Sequence, residues 1–147
     1  MATTPMQKAL DLAARAARAG EVPVGAVITR DGAVIAEAAN QMRGAADPLA
    51  HAEILAIRKA LTATGDAKLE GCDLYVTLEP CTMCAGAISL ARLRRLYYGA
   101  SDPKAGAVDS GVRFFAQPTC HHAPEVVGGM NEREAAELLR SFFRARR

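Results

Sequence analysis

Two cysteines, Cys81 and Cys84, lie three residues apart in the stretch TLEPCTMCAGAI, directly after a proline. Thiolates at this spacing can bind zinc, and a CxxC pair that opens a helix can also act as a redox couple. The chain holds only three histidines, and one of them, His51, lies in AHAEI, two residues before Glu53. The sequence therefore offers a metal or redox centre whose nature depends on which of these residues meet in the fold.

The number of protein ligands distinguishes a catalytic zinc from a structural one. Structural sites usually hold zinc with four protein ligands, whereas catalytic sites leave the fourth position to water, whose pKa zinc lowers to about 7. If the first turns of the two predicted helices meet, His51, Cys81 and Cys84 supply three ligands, and the helix ends favour thiolate. Glu53 would then be a base beside the water, which takes a proton during the attack and returns it to the leaving group.

Other interpretations of the cysteines and histidines stay open on the residues alone. A thioredoxin-like pair would need neither His51 nor Glu53, and a structural zinc would need a fourth ligand from elsewhere. The candidates for that ligand are Cys72, Cys120, His121 and His122. Cys72 is more typical of a small buried residue, and Cys-His-His at 120–122 is either a second metal site or a turn with ordinary polar contacts.

The hydrophobic periodicity predicts the elements that must bring these residues together. Helices are predicted at 4–20, 50–65, 81–92 and 131–147, and strands within 22–40, at 72–78, within 92–100 and at 124–129, with a loop-rich stretch at 101–124. Thr4 and Gln7 form a predicted capping box, Asp31-Gly32 a hairpin turn, and Asn131 a helix cap. The alternation predicts an α/β structure with helices on both faces of a mixed sheet.

Length, composition and charge limit the class of protein. A chain of 147 residues suits one domain, 1–147, and half of its residues are hydrophobic, as in soluble globular proteins. No apolar run reaches the roughly 18 residues that a membrane helix needs, and the N-terminus lacks a signal peptide, so we expect a cytoplasmic protein. The arginine clusters at 92–95 and 140–147 indicate either an RNA partner or solvated helix ends.

The motifs H-A-E and P-C-x-x-C together form the signature of zinc-dependent nucleobase deaminases. Over nearly its whole length the chain resembles the bacterial tRNA-specific adenosine deaminases, within the cytidine/deoxycytidylate deaminase superfamily. The residues that carry the resemblance are EVPVGAV, Asn40, DPLAHAEILAIR, LYVTLEPCTMCAGAI, YYGASDPKAGA and the terminal FFRARR. The stretch at 108–129 departs from the family pattern.

The resemblance implies a three-layer α-β-α sandwich with a mixed five-stranded sheet, one catalytic Zn²⁺ per subunit and a homodimer. It implies hydrolytic conversion of adenosine to inosine at the wobble position of a tRNA anticodon, with ammonia released and no DNA expected as a partner. By the same resemblance, zinc is bound by His51, Cys81 and Cys84, and Glu53 moves protons. The residues expected near the substrate are Asn40, Val22, Ala52, Leu78, Asp102 and Lys104, and the terminal arginines would meet phosphates.

These expectations have alternatives. Asn40 could be a turn residue after a strand, Val22 and Leu78 could be plain core, and Asp102 could belong to an ordinary loop. A small-molecule deaminase acting on guanine, cytosine or a free nucleotide would use the same zinc site, but it would not need the basic C-terminal helix. A non-catalytic RNA-binding module with a structural zinc would need neither Glu53 nor a three-ligand site.

Overall fold

The computed structural model describes residues 3–146, in which four α-helices and one short 3-10 helix surround five β-strands. The helices are α1 (Pro5–Arg18), α2 (Ala52–Thr64), α3 (Thr82–Leu90) and α4 (Glu132–Arg144), and the 3-10 helix covers Phe114–Ala116. The strands are β1 (Gly25–Arg30), β2 (Ala33–Ala39), β3 (Cys72–Leu78), β4 (Arg95–Ala100) and β5 (Glu125–Val127). None of the helices in this range is long and apolar enough to cross a membrane.

The sheet has the strand order β2-β1-β3-β4-β5. Strand β1 is antiparallel to β2 and to β3, whereas β3, β4 and β5 run parallel. The β1–β2 hairpin turns at Asp31 and Gly32, whose φ angles of 51° and 80° fit the left-handed turn that such tight hairpins favour. The mixed five-stranded sheet and the hairpin are thereby confirmed.

Helices cover both faces of this sheet. On one face, α2 and α3 share a buried cluster with Ile28 of β1, and on the other, α1 and α4 share a second cluster with the adjacent residue, Val27. Successive residues of a strand point to opposite faces, so one short apolar strand contributes to both layers of core. The three-layer α-β-α sandwich is confirmed.

Two predicted helix caps differ from the structure. Thr4 Oγ1 accepts a hydrogen bond from the Gln7 amide at 3.1 Å, as predicted, but the Gln7 side chain donates to Asp11, so the reciprocal capping box is absent. Asn131 precedes α4 with a φ of 56°, and its side chain makes no capping hydrogen bond. A capping residue needs an extended backbone to aim its side chain at the first turn, which explains the difference.

Two arginines of the cluster at 92–95 form ion pairs at the end of the sheet away from the cysteine motif. Arg94 donates two hydrogen bonds, of 3.0 and 2.8 Å, to the carboxylate of Asp73 at the start of β3, and Arg95 contacts Glu125. Because β3 and β4 are parallel, both strands begin at the same end of the sheet. The two ion pairs lie at this end, whereas the opposite end of β3 leads to Cys81. Two charges of this cluster are thus neutralised by neighbouring strands.

Candidate metal centre and active site

His51 and Cys81 hold equivalent places in two helices, because each immediately precedes the first turn, of α2 and α3 respectively. Residues at this position usually cap the helix with a side-chain oxygen, but neither side chain makes a capping hydrogen bond. Instead, His51 Nδ1 lies 3.7 Å from Cys81 Sγ and 3.6 Å from Cys84 Sγ. The predicted meeting of the two helix ends is confirmed.

The three donor atoms fit a small divalent metal. They all lie within 4.8 Å of one another, and no fourth histidine, cysteine or acidic residue among residues 3–146 joins the group. Zinc bonds of about 2.0 Å to nitrogen and 2.3 Å to sulfur, at a tetrahedral angle, separate the nitrogen from each sulfur by about 3.5 Å. The observed separations of 3.6 and 3.7 Å are close to this value. The alternative fourth ligands Cys72, Cys120, His121 and His122 take no part in the group.

The two thiols differ in their affinity for a proton. The hydrogen bond from Cys84 lowers the pKa of Cys81 to about 5, against the opposing effect of burial and with help from the amides of Cys84 and Met83. The same hydrogen bond, together with burial, raises the pKa of Cys84. A cation that enters this group would therefore meet one thiolate already formed and would displace one proton.

Glu53 lies in the first turn of α2 and is only 4% exposed. Burial raises the pKa of Glu53 to about 7, and the negative charge of Cys81 adds to this effect, whereas its backbone hydrogen bond and His51 oppose it. A carboxyl group with such a pKa can both accept and return a proton near neutral pH.

The candidate site contains a cavity of about 170 Å³. His51, Glu53 and Cys81 line it together with four of the residues predicted near the substrate, which are Val22, Asn40, Leu78 and Asp102. Although His51 and Glu53 are two residues apart on the chain, the first turn of α2 thus turns both toward one space. Val24, Met42, Glu79 and Ala105 also line the cavity and are absent from the predicted residues.

Comparison with known proteins agrees with this geometry. A family model for MafB19-like deaminases matches residues 2–147. A tRNA-specific adenosine deaminase of Agrobacterium fabrum is 62% identical over 142 residues, which cover 97% of this chain and 93% of the relative. The chain belongs to the tRNA-specific adenosine deaminases. This confirms the family predicted from the motifs, and the chain is a deaminase.

The deaminase has the same fold as solved structures of other deaminases. A structure from a study of adenosine-to-inosine editing by tRNA deaminases at the wobble position has a TM-score of 0.91 and 61% identity, covering 92% of this chain and 98% of that chain. A guanine deaminase from Bacillus subtilis has a TM-score of 0.66 and 36% identity, covering 97% of this chain and 91% of that chain. One architecture therefore carries both nucleoside and free-base deamination among these relatives.

Asn40 and Ala52 of the deaminase are bonded to each other. Asn40 Oδ1 accepts a hydrogen bond from the Ala52 amide at 2.8 Å, and Asn40 Nδ2 donates to the Val22 carbonyl at 3.2 Å. The predicted role of the Ala52 amide as a donor to the substrate stays a prediction, and it requires that amide to leave Asn40.

A larger groove, of about 640 Å³, adjoins the cavity of the deaminase. Both spaces share Val22, Leu78 and Asp102 in their walls. The groove continues to Lys104 on the loop after β4 and to Phe143 and Arg146 at the end of α4. A ligand seated in the cavity could therefore extend toward two cationic side chains and one exposed aromatic ring.

Glu79 is a residue of the deaminase that sequence reasoning missed. It is only 2% exposed although it carries a carboxylate. Burial alone would raise the pKa of Glu79, but hydrogen bonds from Asp102, Ser110 and Val108 hold it below the usual value. The available signal was an acidic residue set directly between the apolar strand β3 and the CxxC motif.

Proposed function

We propose that this chain hydrolyses adenosine to inosine at the wobble position of a tRNA anticodon, in a zinc-dependent reaction that releases ammonia. The observation that carries the proposal is that the buried Glu53 lines one cavity together with His51 and Cys81, two members of the three-residue His/Cys/Cys group. The substrate is supported by the 62% identity with a protein named tRNA-specific adenosine deaminase.

Zinc is the metal that we assign to His51, Cys81 and Cys84. One imidazole and two thiolates suit zinc, and three protein ligands are typical of its catalytic sites. A bound zinc would supply a Lewis acid that makes water nucleophilic at neutral pH.

Glu53 is the residue that we assign to proton transfer. Its carboxylate accepts a proton from the attacking water and later delivers a proton to the departing amino group, so that adenosine and water become inosine and ammonia. A pKa of about 7 suits both halves of this task. The low exposure of Glu53 keeps bulk water from exchanging that proton freely.

The walls of the cavity are the parts that we assign to the base and its sugar. Val22 and Leu78 offer apolar contact to the faces of a base, and Asn40 and Asp102 offer polar groups beside it. Asn40 Nδ2 carries two hydrogens, of which the bond to the Val22 carbonyl uses one. Asp102 Oδ1 accepts from the amides of Lys104 and Ala105, which leaves its second oxygen for the substrate.

RNA rather than a free base is the substrate that the surroundings favour. Lys104 and Arg146 line the groove beside the cavity, and Arg146 takes part in no ion pair among residues 3–146. Cations along such a path suit a phosphate backbone, and an exposed ring such as Phe143 suits an unstacked base. A free base would need neither of them, and no DNA substrate is expected.

We also propose that the protein works in the cytoplasm as a homodimer. Both parts of this proposal follow from the resemblance to the family. Light scattering measures the mass of the purified protein in solution, and we expect the mass of two chains.

The test of the proposed function is product analysis on an anticodon stem-loop RNA with adenosine at the wobble position. Inosine in that RNA and an equal amount of ammonia are expected, with no turnover when the same position carries guanosine. Free guanine, cytidine and adenosine serve as competing substrates. Turnover of a free base without turnover of the stem-loop would refute the tRNA substrate and favour the small-molecule alternative.

A further inference from the structure

The carboxylate of Glu79 is enclosed by the loop at 101–110. Its Oε1 accepts hydrogen bonds from the Asp102 amide at 2.9 Å and from the Ser110 hydroxyl at 3.0 Å. Its Oε2 accepts from the amides of Val108, Asp109 and Ser110, at 3.1, 2.9 and 2.9 Å. A carboxylate offers about four lone-pair positions, so these five donors leave none for a substrate.

The charge of Glu79 is balanced by backbone amides. None of the ion pairs formed within residues 3–146 includes this residue. A buried charge is costly unless hydrogen bonds replace its water, and here the loop supplies nearly all of them. The loop conformation and the ionised side chain therefore depend on each other.

The same loop is joined to the chain around Cys81. Gly106 forms an antiparallel backbone bridge with Cys81, and the Ala107 amide donates to the Pro80 carbonyl at 2.9 Å. A Cβ atom at Gly106 would lie 2.6 Å from Cδ of Glu79, so the backbone of the loop passes directly over the carboxylate. These contacts fix the distance between the loop and the metal-binding group.

We propose that Glu79 is a positioning residue for substrate recognition, which holds the loop at 101–110 so that Asp102 and Ala105 form the cavity wall at a set distance from Cys81. It acts through the loop, because its carboxylate oxygens are occupied by donors of the loop and offer no free acceptor to the substrate. A wall displaced by about 1 Å can cost up to about 10²-fold in efficiency. The measurements of KM and kcat rest on the proposed function, whereas the measurement of hydrogen exchange does not.

The test replaces Glu79 by glutamine in the full chain. Glu79→Gln keeps the size of the side chain but turns one acceptor oxygen into a donor that faces amide donors. Glu70→Gln is the matched control, because Glu70 is exposed and lies before β3, outside the cavity. For both variants we would measure KM and kcat on the stem-loop, zinc per chain, and hydrogen exchange of the peptides that cover 101–110.

We expect Glu79→Gln to raise KM about tenfold or more, with a smaller change in kcat and with zinc per chain as in the wild type. Hydrogen exchange should become faster at 101–110 and stay unchanged in α1 and α2. Glu70→Gln should match the wild type in every measurement. Unchanged KM and unchanged exchange in Glu79→Gln would overturn the proposal, as would faster exchange throughout the chain with KM unchanged.

Ser110→Ala provides a milder variant in case Glu79→Gln does not fold. It removes one of the five hydrogen bonds and keeps the carboxylate, so a smaller rise in KM and locally faster exchange are expected. If KM and hydrogen exchange of Ser110→Ala both equal the wild-type values, the positioning role is refuted. If the wild-type protein itself fails to turn over the stem-loop, the proposed function is lost, while hydrogen exchange at 101–110 still decides whether Glu79 holds the loop.

Discussion

The side chain of Asn40 accepts a hydrogen bond of 2.8 Å from the amide of Ala52, the residue between His51 and Glu53. This contact joins the end of β2 to the start of α2 and thereby fixes the helix end that carries two groups of the candidate site. Asn40 is only 7% exposed, so the bond is shielded from water.

Asn40→Ala should destabilise the fold by about 1–3 kcal/mol, because the buried Ala52 amide loses its acceptor. Chemical denaturation of the variant and the wild type measures the difference. Asn40→Asp keeps an acceptor oxygen and should cost less, and Gln41→Ala, at an exposed neighbour, should leave stability near the wild-type value. Equal stability of Asn40→Ala and wild type would mean that the Ala52 amide finds another partner.

Glu53→Gln should lower turnover by about 10²–10⁴-fold, the usual contribution of a general acid and base. The amide side chain has almost the same shape but cannot accept the proton of the attacking water. Inosine formation on the stem-loop measures turnover, and elemental analysis should find the same zinc per chain as in the wild type. Near-normal turnover would show that another group moves the proton.

Cys81→Ala and Cys84→Ala should each lose the metal, because two protein ligands hold zinc far more weakly than three. Cys120→Ala is the matched control, since Cys120 takes no part in the His/Cys/Cys group, and it should retain the metal. Elemental analysis after gel filtration measures the zinc content per chain of each variant. A strong chelator should abolish turnover of the wild type, and added zinc should restore it; retention of zinc by Cys81→Ala would exclude this ligand set.

Arg146→Gln should raise KM for the stem-loop and reduce the slope of log affinity against log salt by about 1, the value for one phosphate contact. Arg95→Gln removes the same charge at the start of β4, where Arg95 pairs with Glu125. This variant should change neither the KM nor the slope. Titrations of stem-loop binding at several salt concentrations measure both. Identical slopes for Arg146→Gln and wild type would place the RNA elsewhere.

The His/Cys/Cys group was predictable because each of its residues follows from a local rule. Cys81 and Cys84 share one helical turn, and His51 is the only histidine near a predicted helix start, so two short motifs define the group. The alternation of strands with helices predicted the layers, and the Asp31-Gly32 turn, which depends on neighbouring residues alone, predicted a mixed sheet, whereas the number of five strands came from the family resemblance. Thr4 as a cap belongs to the same class of local signal.

Features that join distant segments could not be predicted in this way. Glu79 bonds to residues 23 to 31 positions away, and nothing in TLEP indicates which loop encloses it. Asn131 carries the residue type of a helix cap, but the chain enters α4 with a left-handed backbone that the sequence did not reveal. Arg94 looks like part of a basic surface until the parallel pairing of β3 with β4 sets it against Asp73.

The loop at 101–110 is held mainly through its backbone, and this has a consequence for directed evolution of substrate range. The bonds that fix Lys104 and Ala105 run from their amides to Asp102, and both side chains are exposed. A library randomised at 104 and 105 can therefore vary the walls of the groove and of the cavity while sparing the His/Cys/Cys group. Any side chain at Gly106 would place its Cβ 2.6 Å from Cδ of Glu79, so a substitution at Gly106 has to be selected jointly with a change at Glu79.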